Sequence, residues 1–278
     1  MLLKLWLIIK VCAQSLDCFM NKGYTYRASA LAFTSLLTIV PLMFVIVFFV
    51  SIFPVFKHIL LLGENYILQN FIPTSALTIE YYLHGFLQQA TQLPTFSFLF
   101  LLVTTFMLVY TIEETLNEIW EVKPRPTSKQ IAILLVYWIL FLLIPILIGL
   151  GVFLSSYAYL LSWIVYADQP KLYYYLLAFL PLAMNTILFT LTYLYVPNSD
   201  VSLDNGFVGG FLAALLFEFA RFSFALYIES FPSYAVIYGA FAIIPIFLIW
   251  LYIFWSIVLY GALVTQGLEK AKVSSKIC

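Results

Sequence analysis

Apolar residues fall along this chain in long unbroken blocks, without strand-like alternation or the narrow stripe of a surface helix. A run of about 20 apolar residues crosses a bilayer as a helix. Six such blocks occur: Ser29–Phe53, Phe96–Ile112, Ile131–Ser155, Leu172–Val196, Gly206–Ile228 and Ala235–Val264. The second is short, though Leu116 and Ile119 prolong it, and the sixth exceeds a bilayer's thickness and is expected to tilt or bend. The pattern predicts an all-α, polytopic membrane helical bundle, with residues 1–278 forming a single integral membrane domain.

Outside the blocks the pattern changes. At 100° per residue, Lys4, Lys10, Gln14, Ser15 and Asp17 share one arc, with Leu5, Trp6, Ile9, Cys12 and Leu16 opposite; Leu7 and Val11 interrupt the polar side. This predicts an N-terminal interfacial helix rather than a cleaved signal, since Lys10 splits the apolar run. In the first outer loop, Phe56–Phe71 and Ala76–Ala90, separated by Ile72-Pro73-Thr74, read as short helices lying on the outer membrane face, either a lid or, more simply, an ordered connector. The segment Glu113–Gln130 is densely charged and stiffened by Pro124 and Pro126; it reads as a solvated cytoplasmic elbow, with Glu113 and Glu114 at a solvated helix end. Pro41, Pro145, Pro181 and Pro245 lie inside blocks one, three, four and six. That placing suits two inverted halves, but the halves share no visible sequence, and membrane helices tolerate proline for structural reasons. Tyr24, Tyr26, Trp120, Tyr173 and Tyr260 sit at block ends, where interfacial aromatic belts are expected.

Composition agrees. The chain is 64% hydrophobic and 9% charged, whereas soluble domains carry about 25% charged residues. Of the 13 Lys and Arg residues, Lys4, Lys10, Lys22, Arg27, Lys123, Arg125, Lys129, Lys270, Lys272 and Lys276 fall on one side of the expected topology, and Lys57 and Lys171 on the other. This bias places both termini in the cytoplasm, in keeping with an even number of spans. A formal net charge of zero leaves no basic patch for nucleic acid. The expected partners are the lipid bilayer and a lipid or small-molecule substrate.

Catalytic signatures are missing. No H-E-x-x-H or G-x-S-x-G motif occurs, and neither His58 nor His84 has a second ligand at metal spacing. Cys12, Cys18 and Cys278 form no C-x-x-C and read as single thiols. The expectation is therefore no enzyme, cofactor or metal centre. What stands out is the fifth block, where Glu218 and Arg221 lie one helical turn apart inside an apolar span. An ionisable residue there marks a functional-site hypothesis. Gly206, Gly210 and Ala214 share a 120° arc with the charged pair, so the charges belong to the helix-packing face. At ~1.5 Å per residue, Glu218 lies ~18 Å from the block's start, near the midplane, and Arg221 is expected to reach toward the outer surface. Two readings stand: a self-neutralising structural pair, or a polar point on a substrate or ion path joined by Asn185, Thr186, Thr34, Ser35 and Thr38.

Three stretches carry a resemblance. Ser29-Ala-Leu-Ala-Phe-Thr-Ser-Leu-Leu-Thr-Ile-Val-Pro41 is the first, and Asn117-Glu-Ile-Trp120 with its basic, proline-containing elbow the second. The third is Phe217-Glu-Phe-Ala-Arg-Phe-Ser-Phe-Ala-Leu-Tyr-Ile228, followed by Phe231-Pro-Ser-Tyr234, Ile237-Tyr-Gly239 and Trp250 to Ala262. In order and spacing they resemble the YihY/BrkB family of bacterial inner-membrane proteins along nearly the whole chain. The resemblance implies a multi-pass inner-membrane protein of a Gram-negative bacterium whose biochemical activity is not settled. The family's former label, ribonuclease BN, finds no catalytic residues here. Where the family commonly has Gly-Ala-Glu in its last span, this chain has Gly261-Ala262-Leu263. The expected function is transport or lipid and amphiphile handling at a midplane polar site; the alternative is a non-transporting envelope scaffold.

Overall fold

The computed structural model describes residues 2–52, 95–123, 125, 135, 136, 139, 171–230 and 243–273. Six helices make up nearly all of them: α1 (Leu2–Asn21), α2 (Tyr24–Ile52), α3 (Thr95–Ile119), α4 (Lys171–Tyr195), α5 (Leu203–Ser230) and α6 (Ile243–Val273). No strand occurs among the described residues. Helices α2, α4 and α5 match their apolar blocks closely. Helix α3 runs through Ile119, because Leu116 and Ile119 continue its buried face. Helix α6 continues past Val264 to Val273: the apolar pattern stops, but Gln266, Leu268, Glu269, Lys270 and Ala271 are all good helix formers. Pro41 and Pro181 lie within continuous helices. Residues 203–227 and 244–271 are helices long and apolar enough to cross a membrane. Of the third block only Leu135, Val136 and Ile139 are described, each helical and exposed. The short helices expected in the first outer loop, Pro145 and residues 231–242 lie outside the described residues.

The chain divides into two compact units, one of residues 1–36, 110–130 and 170–278, the other of residues 37–109 and 131–169. In the second, Thr38, Thr105, Leu108 and Val109 are buried, while Val103 and Met107 are exposed.

The first unit is built on mutual packing of α4, α5 and α6, with α1 against α6. Small residues set the spacing. A methyl group at Gly210 would stand 2.7 Å from the Thr190 backbone nitrogen and 3.0 Å from its Cα, atoms that cannot rotate away. At Gly261 it would stand 2.8 Å from the Ala213 Cβ and overlap the Tyr193 hydroxyl. Tyr193 is fully buried and donates from Oη to the Val258 carbonyl at 2.9 Å, joining α4 to α6. Beyond this junction the interface fills with rings: Phe217 lies edge-on to Phe189 and Phe254 and tilts against Trp250. Trp255 brings in α2 by donating from Nε1 to Ser35 Oγ at 2.9 Å.

Helix α1 is apolar on two faces. Val11, expected to interrupt the polar arc, is buried against Val264 and Leu268, and Ser15 of that arc is buried as well. Tyr260 donates to the Cys12 carbonyl at 3.1 Å. A second stripe, Trp6, Ile9, Leu16 and Met20, is exposed. The aromatic-belt expectation also needs correction: Tyr24 and Trp120 are core residues, whereas Tyr26 is exposed. Among the cysteines Cys12 is a free thiol, but Cys18 is disulfide-bonded rather than single; Cys278 lies outside the described residues.

Gly210→Ala and Gly261→Ala are each expected to destabilise the protein by about 1–3 kcal/mol through overpacking. Gly206→Ala, whose methyl would meet only the mobile end of Leu194, is expected to cost less. Thermal denaturation in detergent micelles checks the ranking.

Candidate membrane-embedded site

Helices α4 and α5 run antiparallel along one seam. Gly206 faces Leu194, Gly210 faces Thr190, and farther along the same face Glu218 meets Asn185. The glycines let the backbones close at one end, and that approach carries the two polar side chains into contact. Asn185 Nδ2 donates to Glu218 Oε1 at 2.8 Å. Arg221 donates to Oε2 through Nε at 2.9 Å and Nη2 at 2.7 Å. Both carboxylate oxygens are therefore engaged, one across the helix interface and one within α5. The Glu218 side chain is 22% exposed and that of Arg221 62%. Arg221 does not reach toward the end of α5; its guanidinium turns back one helical turn to Glu218.

Of the residues expected at the site, the structure joins Asn185, Glu218 and Arg221 in one hydrogen-bonded network. Ala214 is buried in the seam's core cluster. Thr186 donates to the Leu182 carbonyl of its own helix at 2.7 Å. Thr34 does the same to Ala30 at 2.8 Å. Ser35 serves the contact between α2 and α6, and Thr38 belongs to the second unit.

A second polar cluster was not legible as such. Glu113, expected to be solvated, is completely buried and pairs with Arg125 at 2.6 Å. The same guanidinium donates to the carbonyls of Val196 and Pro197, both at 3.2 Å, and of Tyr195 at 3.4 Å. A cation thus closes the negative end of the α4 dipole and satisfies carbonyls that have no helical partner. Asn117 Oδ1 accepts from the Asn198 backbone at 2.7 Å. Glu269 accepts from Ser202 Oγ at 2.9 Å and from Asn205 Nδ2 at 2.5 Å, which ties α6 to the start of α5. Glu113 and Arg125 thus form a buried polar joint, while Glu114, Glu118, Glu121 and Lys123 of the elbow are exposed, as expected; residues 126–130 lie outside the described residues. One signal was available: at 100° per residue Glu113 shares a face with Val109, Leu116, Asn117 and Trp120, all buried.

Around this joint the charges are more open. Helix α3 ends with Val122 N–H on the Asn117 carbonyl at 3.1 Å and Glu121 N–H on Glu118 at 3.0 Å, the bond pattern of a Schellman motif. Glu121 holds its left-handed position (φ 55°) without being glycine. Its carboxylate lies 3.1 Å from Lys270 and 3.6 Å from Lys22. Arg27 pairs with Glu118 at 2.6 Å.

Two helices long and apolar enough to cross a bilayer, one of them carrying Glu218 and Arg221, are what an integral membrane protein requires. The family profile described as Virulence factor BrkB matches residues 15–276, and the chain belongs to this family. It is 41% identical to a UPF0761 membrane protein of Legionella pneumophila over 88% of this chain and 58% of that protein. A Pseudomonas aeruginosa relative of the same name is 38% identical over 88% of the chain and 59% of its own length. One from Aeromonas salmonicida is 37% identical over 90% and 86%. The chain thus spans a little under three-fifths of the Legionella and Pseudomonas proteins. No solved structure matches it.

Removing one partner of a buried ion pair strands the other. Glu113→Gln and Arg125→Met are each expected to cost about 3–5 kcal/mol of stability. The double variant Glu113→Leu/Arg125→Met should recover part of this, with a remainder from the uncapped α4 carbonyls; a double-mutant cycle read by thermal melting checks it.

Glu121 gives a pH prediction. The Lys270 hydrogen bond holds its carboxyl below the ordinary 4.5, burial opposing and Lys22 assisting. A folded-state value lower than the unfolded one stabilises above 4.5 and is lost as pH falls through the folded value. Wild type should therefore exceed Glu121→Gln in melting temperature at neutral pH, by an amount worth less than about 1 kcal/mol for so exposed a pair. The difference should vanish in acid.

Proposed function

We propose that this protein handles a lipid or another amphiphile in the bacterial inner membrane, as a transporter, through the Asn185–Glu218–Arg221 network. It spans the membrane six times with both termini in the cytoplasm. The charge bias supports that topology. So does the gathering at one end of the first unit of Lys22, Arg27, Arg125 and Lys270, each paired with a carboxylate. Helix α1 lies in the cytoplasmic interface: its Val11 face packs on α6, and its Trp6 and Met20 stripe meets lipid.

The observation that carries the function is the position of an open charge network within a seam that is otherwise closed. A polar network serving only to hold α4 against α5 would be shut inside their interface. Here the arginine is largely exposed, and the carboxylate is partly so. Both lie in a helix apolar enough to span a bilayer. A polar point that a headgroup can reach from the side is what an amphiphile path requires.

Reconstitution tests the reading. In proteoliposomes carrying a trace of headgroup-labelled phospholipid, wild type is expected to speed loss of leaflet asymmetry over protein-free vesicles. Glu218→Gln and Asn185→Leu should slow it by about tenfold, the effect of ~1.4 kcal/mol on a barrier. Wild-type vesicles indistinguishable from empty ones would sink the proposal.

A further inference from the structure

We infer that Arg221 binds the phosphodiester headgroup of a membrane lipid, with Glu218 and Asn185 as positioning residues. This inference rests on the amphiphile-handling reading above and names its ligand class. A guanidinium has five N–H donors. Nε and one Nη2 hydrogen of Arg221 go to Glu218 Oε2, leaving three donors with no partner among the described residues. These donors emerge on an apolar helix, one turn from half-buried Phe217 and Phe224 and from exposed Ala225. Water is scarce at that depth, so the acceptors must come from lipid or ligand. Phosphate oxygens suit them best, because the planar fork matches phosphate bidentately.

Depth gives the contact a role. From Arg221 to Ile228, where the apolar block ends, is ~10 Å at 1.5 Å per residue. A free arginine at that depth would extend toward the headgroup layer. Glu218 instead holds it back, one turn deeper, and Asn185 holds Glu218. A phosphate that pairs with this arginine is drawn below its usual level into the apolar layer, which any lipid-moving path must accomplish. Because Glu218 cancels the charge, binding comes from forked hydrogen bonding and not from net positive potential. The ligand's net charge therefore matters little; its phosphate matters most.

Native mass spectrometry of the purified protein in a non-ionic detergent tests this with phosphatidylethanolamine, phosphatidylglycerol, monogalactosyldiacylglycerol and free glycerol phosphate. Both phospholipids are expected to be retained about tenfold more than the phosphate-free galactolipid, with glycerol phosphate not competing. Arg221→Gln should abolish the preference. Arg221→Lys, which keeps the charge and its pairing with Glu218, should lose most of it, with melting temperatures confirming that both variants fold. Equal retention of the galactolipid, an unchanged preference in Arg221→Gln, or displacement by glycerol phosphate alone overturns the assignment. The two proposals fail separately. Lipid movement by wild type with no Arg221-dependent retention removes the headgroup site and leaves the amphiphile reading; retention without movement does the reverse.

Discussion

The close approach of α4, α5 and α6 underlies the arrangement of the first unit. It depends on side chains that are absent: Gly210 lies against the Thr190 backbone and Gly261 against Ala213 and Tyr193. In lipid there is no hydrophobic force pulling helices together, since hydrocarbon is as apolar as leucine. Packing and interhelical hydrogen bonds must do that work, and both need short backbone separations. The buried Tyr193–Val258 bond and the Asn185–Glu218 bond are possible because the helices come this near.

Polar groups are treated differently at the two ends of the seam. At the Arg125 end nearly every charge is matched: one guanidinium serves a buried carboxylate and three carbonyls, and Glu269 serves the first turn of α5. That end is a joint, and its polar groups hold segments in place. Farther along α5 the seam carries a network that is internally neutral yet open on its arginine side. The contrast separates charges closed into the packing from one left open at the surface.

The contrast moves attention within α5, from Glu218 to Arg221. Glu218 looked like the functional group because it lies deeper. With both oxygens engaged, it holds the Arg221 guanidinium one helical turn back along α5. Leu263 is buried among core residues. No charge at that position takes part in the network.

The sequence alone determined that the chain is helical and of membrane type. Hydrophobicity in long blocks is a one-dimensional property, and backbone hydrogen bonding in lipid permits little besides helices. It also marked α5, since charge inside an apolar block and the Gly206–Gly210–Ala214 face can be read by counting residues. Asn185 could be named as a companion of that pair, being an amide on a neighbouring block; which carboxylate oxygen it holds came only with the packing. Tertiary structure decided the rest. The charge density at Glu113 to Arg125 suggested solvation, because sequence cannot show that one Glu–Arg pair will be closed off beneath the end of α4. Val11 seemed to spoil an amphipathic helix until α6 supplied a second buried face. The openness of Arg221 beside an engaged Glu218 is likewise a tertiary fact. Spacing puts two charges on one face, but only the packing of α4 against α5 determines which of them is held and which is left free.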